Sequence, residues 1–162
     1  MKPDKTLARN PLGDRGERLV GVELKRRKFR VRHLGARAPD WDLVAEKGGK
    51  KFNIQVKTIG KGSWQCGSAT KFIKINLVDE IQQVTGKQVL RDPNGIYIFI
   101  NLEKKRTYYL MGVGEVQHLV FLGYKANLRR HKNRRPKNPY TFHHAISMKQ
   151  LRKWKENWAI FG

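Results

Sequence analysis

Trp41-Asp42-Leu43-Val44-Ala45-Glu46 runs through Lys47-Gly48-Gly49-Lys50 into Lys51-Phe52-Asn53-Ile54-Gln55-Val56-Lys57-Thr58, and these eighteen residues decide the fold. They read as two short strands joined by a turn. Both arms are apolar or alternating and carry β-branched residues, and Gly48-Gly49 supplies the positive φ angles of a tight hairpin. Alternation along the second arm points Gln55 and Lys57 one way and Ile54 and Val56 the other. Pairing around the turn brings Asp42, at the far end of its strand, close to Lys57. An acid, an amide oxygen and an ammonium then converge on one face beside a hydrophobic layer, a layout suited to a divalent cation and a phosphate.

An acid followed by an apolar strand, a turn, and a second strand ending in acid-x-Lys is the PD-(D/E)XK nuclease pattern. Asp42-Leu43-Val44-Ala45 followed by Ile54-Gln55-Val56-Lys57 resembles the small members of that superfamily, among them archaeal Holliday-junction resolvases and group I intron-associated endonucleases. Gln55 stands where the family more often has Glu or Asp, a variant the superfamily carries. Pro39-Asp40 precedes the strand, but Asp42 opens the apolar run directly.

This resemblance implies an α/β restriction-endonuclease-like domain, a mixed central β-sheet flanked by the N-terminal and C-terminal helices. It also implies metal-dependent hydrolysis of DNA, duplex or branched. Asp42, the Gln55 amide oxygen, the Val56 main-chain carbonyl and Glu17 would hold Mg²⁺, with Mn²⁺ a possible substitute. Lys57 would orient the attacking water or stabilise phosphoryl charge. Glu17, in a Gly16-Glu17 pair, matches the acid on the family's first helix. One site cuts one strand, so double-strand or junction cleavage implies a homodimer or larger assembly.

Composition sets the wider frame. The 162 residues suit one domain, and 39% apolar residues suit a real core. No apolar run approaches a membrane span, no signal peptide is visible, and Cys66 is alone, which fits a reducing cytoplasm. Thirty-five Lys and Arg against thirteen Asp and Glu give +22, a balance that points to nucleic acid. A solvated surface or attraction to an acidic membrane would also use such charge. Charge alone does not separate a nuclease from a ribosomal or architectural protein. The five His and Cys66 lack metal-finger spacing, and neither a Gly-rich nucleotide loop nor a Gly-x-Ser-x-Gly elbow is present.

Along the chain, residues 1–13 read as a basic N-terminal arm preceding a single domain over 14–162. Asp14-x-x-Glu17 resembles a capping box for a helix over 15–28, which gives Glu17 a purely local explanation; Leu19, Val20, Val22 and Leu24 form its apolar stripe. Phe29 to His33 alternates as a strand with its cationic face outward. Residues 60–68 predict a flexible loop beside the site, where Lys61, Ser63, Trp64 and Gln65 would contact nucleic acid. Trp64 would stack on a base or anchor the loop to the core.

Strands follow over 72–77, 96–100 and 107–111, with a polar helix or loop over 78–89 and a turn at 91–95. A helix is expected over 115–130, weakened by Gly123. The basic loop 125–137, holding Arg129, Arg130, Lys132, Arg134, Arg135 and Lys137, would track phosphates, although a solvated loop would look the same. Ser147-x-x-Gln150 opens a C-terminal helix over 147–158, with Trp154 and Trp158 facing the core. The competing functional expectations are a non-catalytic nucleic-acid-binding protein on the same fold, and a basic RNA-binding or ribosome-associated module.

Overall fold

Gly48 and Gly49 take φ of +57° and +76°, and the turn they make joins β2 (Leu43–Lys47) to β3 (Lys50–Ile59) as the sequence predicts. The computed structural model describes residues 10–35 and 37–162, so the expected basic arm lies outside the described residues up to position 9. Before the hairpin come α1 (Pro11–Arg26) and β1 (Arg30–His33). After it come β4 (Trp64–Ser68), β5 (Ile73–Val78), β6 (Ile81–Lys87), β7 (Ile96–Asn101) and β8 (Thr107–Gly112). Helix α2 (Val113–Arg130), β9 (His143–Ile146) and the short α3 (Met148–Leu151) complete the chain.

Five strands form the central sheet in the order β1-β2-β3-β7-β8. Only β3 and β7 are parallel, so the sheet is mixed. Strand β7 is buried along its whole length, as the run Ile96 to Ile100 predicts. Its side chains divide the core in two. Ile96, Ile98 and Ile100 join Val20 and Leu24 of α1, with Leu43, Ile54 and Val56. Tyr97 and Phe99 point to the other layer, with Val116, Val120 and Tyr124 of α2. Two smaller pairs, β4 with β9 and β5 with β6, stand on the α2 side.

Several local expectations are corrected. Helix α1 starts at Pro11, capped by Asn10, whose Oδ1 accepts from the Gly13 amide at 3.2 Å; Asp14 is already inside the first turn. Proline fits there because its missing N–H is one that the first turn leaves unpaired anyway. The helix stops at Arg26, and Lys28 takes φ +70°. Val22 faces solvent, so the buried stripe is Gly16, Val20, Gly21 and Leu24. Residues 60–68 are a loop only as far as Ser63, because β9 pairs with Trp64 onward. Residues 78–89 hold a strand, β6, which turns back on β5.

The expected helix over 147–158 is broken. Its capping box forms, with the Gln150 amide donating to Ser147 Oγ at 3.4 Å and Gln150 Oε1 accepting from the Ser147 amide at 2.9 Å. After α3 and a 3₁₀ turn over Arg152–Trp154, however, Lys155 is extended and Glu156 takes φ +51°. The competitor is the open edge of β8. Glu156 donates its amide to Tyr108 O at 2.7 Å and accepts from the Tyr108 amide at 3.1 Å, while Asn157 Nδ2 reaches Leu110 O at 3.2 Å. Unpaired edge groups captured the chain and covered the edge. Trp154 is buried as expected; Trp158 is half-buried, edge-on to Tyr108 and beneath the Arg27 guanidinium.

Candidate active site

At the open end of the hairpin β2 begins only at Leu43, opposite Ile54, whereas β3 continues to Ile59, and that mismatch makes the site. Asp42 still donates its amide to Ile54 O at 2.8 Å. Two residues farther along β3, the Val56 amide and carbonyl face the same side, where β2 no longer supplies a partner. The Asp42 carboxylate substitutes for it: Oδ2 accepts from the Val56 amide at 2.8 Å and from Gln55 Nε2 at 2.7 Å. Gln55 Nε2 also lies 3.3 Å from the Val56 carbonyl oxygen. Asp42, Gln55 and Val56 therefore meet at one point, as the hairpin register requires.

Lys57 is half-buried one position beyond, on the Gln55 face, close enough for its charge to act on Asp42. Asp40 does not enter the site. It takes φ +69° and pairs with Lys71 at 3.1 Å.

Glu17 arrives from α1 because Gly16 lets the helix lie against β3. A Cβ on Gly16 would stand 1.8 Å from Thr58 Oγ1, so only glycine permits this approach. Thr58 Oγ1 is itself buried without a hydrogen-bond partner among the described residues.

Burial, then the charge of Asp42, then that of Asp14 push the Glu17 carboxyl up to about 7. Asp42 is also raised, chiefly by burial, against the lowering effects of the Val56 amide, Lys57, Lys71 and Gln55. Burial raises both carboxyls, and a cation bound between them would lower both. Oxygen donors suited to a hard divalent cation are present in the Asp42 and Glu17 carboxylates and the Val56 carbonyl, whereas Gln55 turns its NH₂ to Asp42 and Val56 and adds an oxygen only if its amide turns over. Among the described residues no three His, Cys, Asp or Glu side chains group into a metal cage.

The predicted nucleic-acid contacts divide. Lys61, Ser63 and Gln65 are exposed beside the end of β3. Trp64 is corrected: it is 1% exposed, packs edge-on against Phe99 and Tyr109, and donates its indole N–H to Ile100 O at 3.2 Å. It anchors the core and has no face for a base.

The basic loop is also corrected, since Arg129 and Arg130 belong to the last turn of α2. They and Lys132 and Lys137 are exposed. Arg134 is taken by Glu80 at 2.6 Å, and Arg135 by the His143 carbonyl at 2.8 Å and the Tyr124 ring. Both make contacts within the fold, with the Arg134 side chain still 56% exposed.

Lys71 was not among the sequence candidates. It comes from the short turn between β4 and β5, and no local pattern connects it to Asp42; only the fold brings its charge there. The Gly16–Thr58 contact had a faint signal in the adjacent Gly16-Glu17 pair, but its purpose depends on β3 lying beneath it.

No protein-family model matches the chain, and no curated protein does. Among solved structures it is similar to a bacterial homing endonuclease, I-Ssp6803I, with a TM-score of 0.54 and 13% identity over 96% of this chain and 93% of that one. It is also similar to Hjc, a Holliday junction resolvase from the archaeal hyperthermophile Archaeoglobus fulgidus, with a TM-score of 0.49 and 16% identity over 90% of this chain and 99% of that one. With its central mixed sheet flanked by helices, the chain has a restriction-endonuclease-like α/β fold.

Proposed function

We propose that the chain is a metal-dependent endonuclease that hydrolyses DNA phosphodiester bonds. The observation that carries this reading is the meeting of the Asp42 carboxylate, the Gln55 side-chain amide and the Val56 backbone at the end of β3, with Glu17 and Lys57 near enough for their charges to couple to Asp42, on a nuclease-type fold. Asp42, the Gln55 amide oxygen, the Val56 carbonyl and Glu17 would hold Mg²⁺ or Mn²⁺. Bound there, the cation supplies Lewis-acid polarisation of the scissile phosphate and a lowered pKa for water.

The chain's own residues do the rest. Asp42 supplies charge that its backbone and side-chain hydrogen bonds hold in place. Gln55 now turns its NH₂ toward Asp42 and Val56 O, so presenting oxygen requires its amide to turn over. Lys57 holds the attacking water or the phosphoryl oxygens. Glu17, raised to about 7 in the metal-free fold, would ionise as a cation binds beside it. Lys61, Ser63 and Gln65 by the site and Arg129, Arg130, Lys132 and Lys137 farther off would position the DNA backbone. Cleavage of both strands or of a junction calls for two copies of the chain, hence a homodimer or larger assembly.

Supercoiled plasmid and a branched duplex incubated with Mg²⁺, Mn²⁺ or EDTA test the proposal. Cutting that requires the cation is expected. Tight binding of both substrates with no cutting under either metal would instead favour a DNA-binding protein built on a nuclease fold.

A further inference from the structure

We propose that the β5–β6 ribbon reads base sequence from the major groove of DNA. This rests on the chain acting on DNA and goes beyond it, because it assigns specificity to a particular element. The ribbon has two unlike faces. Ile73, Ile75 and Val84 pack into the α2-side core, whereas Lys74, Asn76, Gln83 and Thr85 are exposed. Asn76 and Gln83 are direct cross-strand partners. Among the described residues neither amide has a hydrogen-bond partner, so each offers one acceptor and two donor hydrogens outward. Two such amides side by side match the donor and acceptor pattern of base edges, and adenine above all takes Asn or Gln through two bonds. A two-stranded ribbon also fits the roughly 12 Å width of the major groove.

The ribbon is held in place rather than left to wave. Gln82, fully buried on its inner side, donates to Pro139 O at 2.6 Å and Thr141 O at 3.0 Å and accepts from Tyr124 Oη at 2.5 Å. At the tip, Glu80 binds Arg134, which sets the ribbon beside the basic turn that carries Lys132. At the base, two residues before β5, Lys71 acts on Asp42. The ribbon thus runs from beside the candidate site to a tip where Asp79 and the Arg134-paired Glu80 meet the basic turn. Between those ends its outward face carries no carboxylate, and it is complementary to a polyanion.

Selection of a randomised duplex library by the full chain, with Ca²⁺ replacing Mg²⁺ so that nothing is cut, tests this. The parent is expected to enrich a sequence. The N76A/Q83A double variant, changed only on an exposed face, is expected to lose preference at one or two base positions by about tenfold or more, while its affinity for non-specific duplex changes by less than about threefold. Lys74→Ala is expected to weaken all sequences alike and lower the salt slope by about one.

An unchanged preference in the double variant would overturn the proposal. So would a parent with no preference, even if it cuts plasmid and the nuclease reading stands. A change of molecular mass in solution with preference intact would assign the face, with exposed Val78 and Ile81 at its tip, to another copy of this chain instead.

Discussion

The two hairpins β2–β3 and β5–β6 have nearly the same local design and opposite surroundings. Each is closed by a two-residue turn with positive φ, Gly48-Gly49 in one and Asp79-Glu80 in the other. The first lies inside the five-stranded sheet, and its useful residues are where one strand outruns the other. The second stands apart, with one face on α2 and the other in water. Hairpin geometry fixes which residues are neighbours; burial sets what surrounds them. In the first, a half-buried carboxylate, an amide and a backbone carbonyl are forced on one another. In the second, two amides are left unpaired in solvent.

Removing groups from the first hairpin should have the largest effect. Lys57→Ala is expected to lower the cleavage rate by roughly a hundredfold or more, as loss of one charge-stabilising donor typically does, with little change in DNA affinity; the test is single-turnover cleavage beside a binding titration. Gly16→Ala strikes the seating of α1 on β3. With Thr58 in the way, the added methyl should cost about 1–3 kcal/mol in urea denaturation.

Glu17→Gln is smaller and depends on pH. In the metal-free fold the carboxyl sits at about 7 against an ordinary 4.5, so the folded protein prefers the proton. The ionised form therefore carries a stability cost that is fully present above about pH 7, shrinks as pH falls, and vanishes below 4.5. Glutamine never pays it. The variant should be more stable than the parent by on the order of 1 kcal/mol at pH 8 in EDTA, allowing for partial exposure, and equal to it near pH 4.

The second turn gives the smallest effect. Glu80→Gly relieves a positive φ of +66° but loses an exposed ion pair to Arg134, so stability should move by less than about 0.5 kcal/mol. A change above 1 kcal/mol in thermal melts would mean that the tip matters to the fold more than its exposure implies.

What the sequence made legible follows the same contrast. Gly48-Gly49 announces its turn, alternation assigns the faces of β3, and the register then brings Asp42 to Gln55 and Val56 without tertiary knowledge. Ile96 to Ile100 could be buried only on both faces. Residues 78–89 were opaque because Asp79-Glu80 carries no glycine and the strand after it is polar on the outside. It pairs because Gln82 is tied down by Pro139 and Thr141, more than fifty residues away. Trp64 looked like a loop aromatic because its partner strand, β9, comes eighty residues later. The tail over 147–158 had a helical pattern and lost to the open edge of β8. Local signals held where pairing was local, and failed where a distant segment supplied the partner.

Asp42 is the residue on which a metal-dependent site at the end of β3 depends most directly. Asp42→Asn keeps the shape and removes the charge, and its cleavage rate and DNA affinity measured side by side in Mg²⁺ separate catalysis from binding. A rate lower by about a thousandfold, with affinity within threefold of the parent, is the predicted result. Equal cleavage by the variant and the parent would contradict a metal-dependent site at the end of β3.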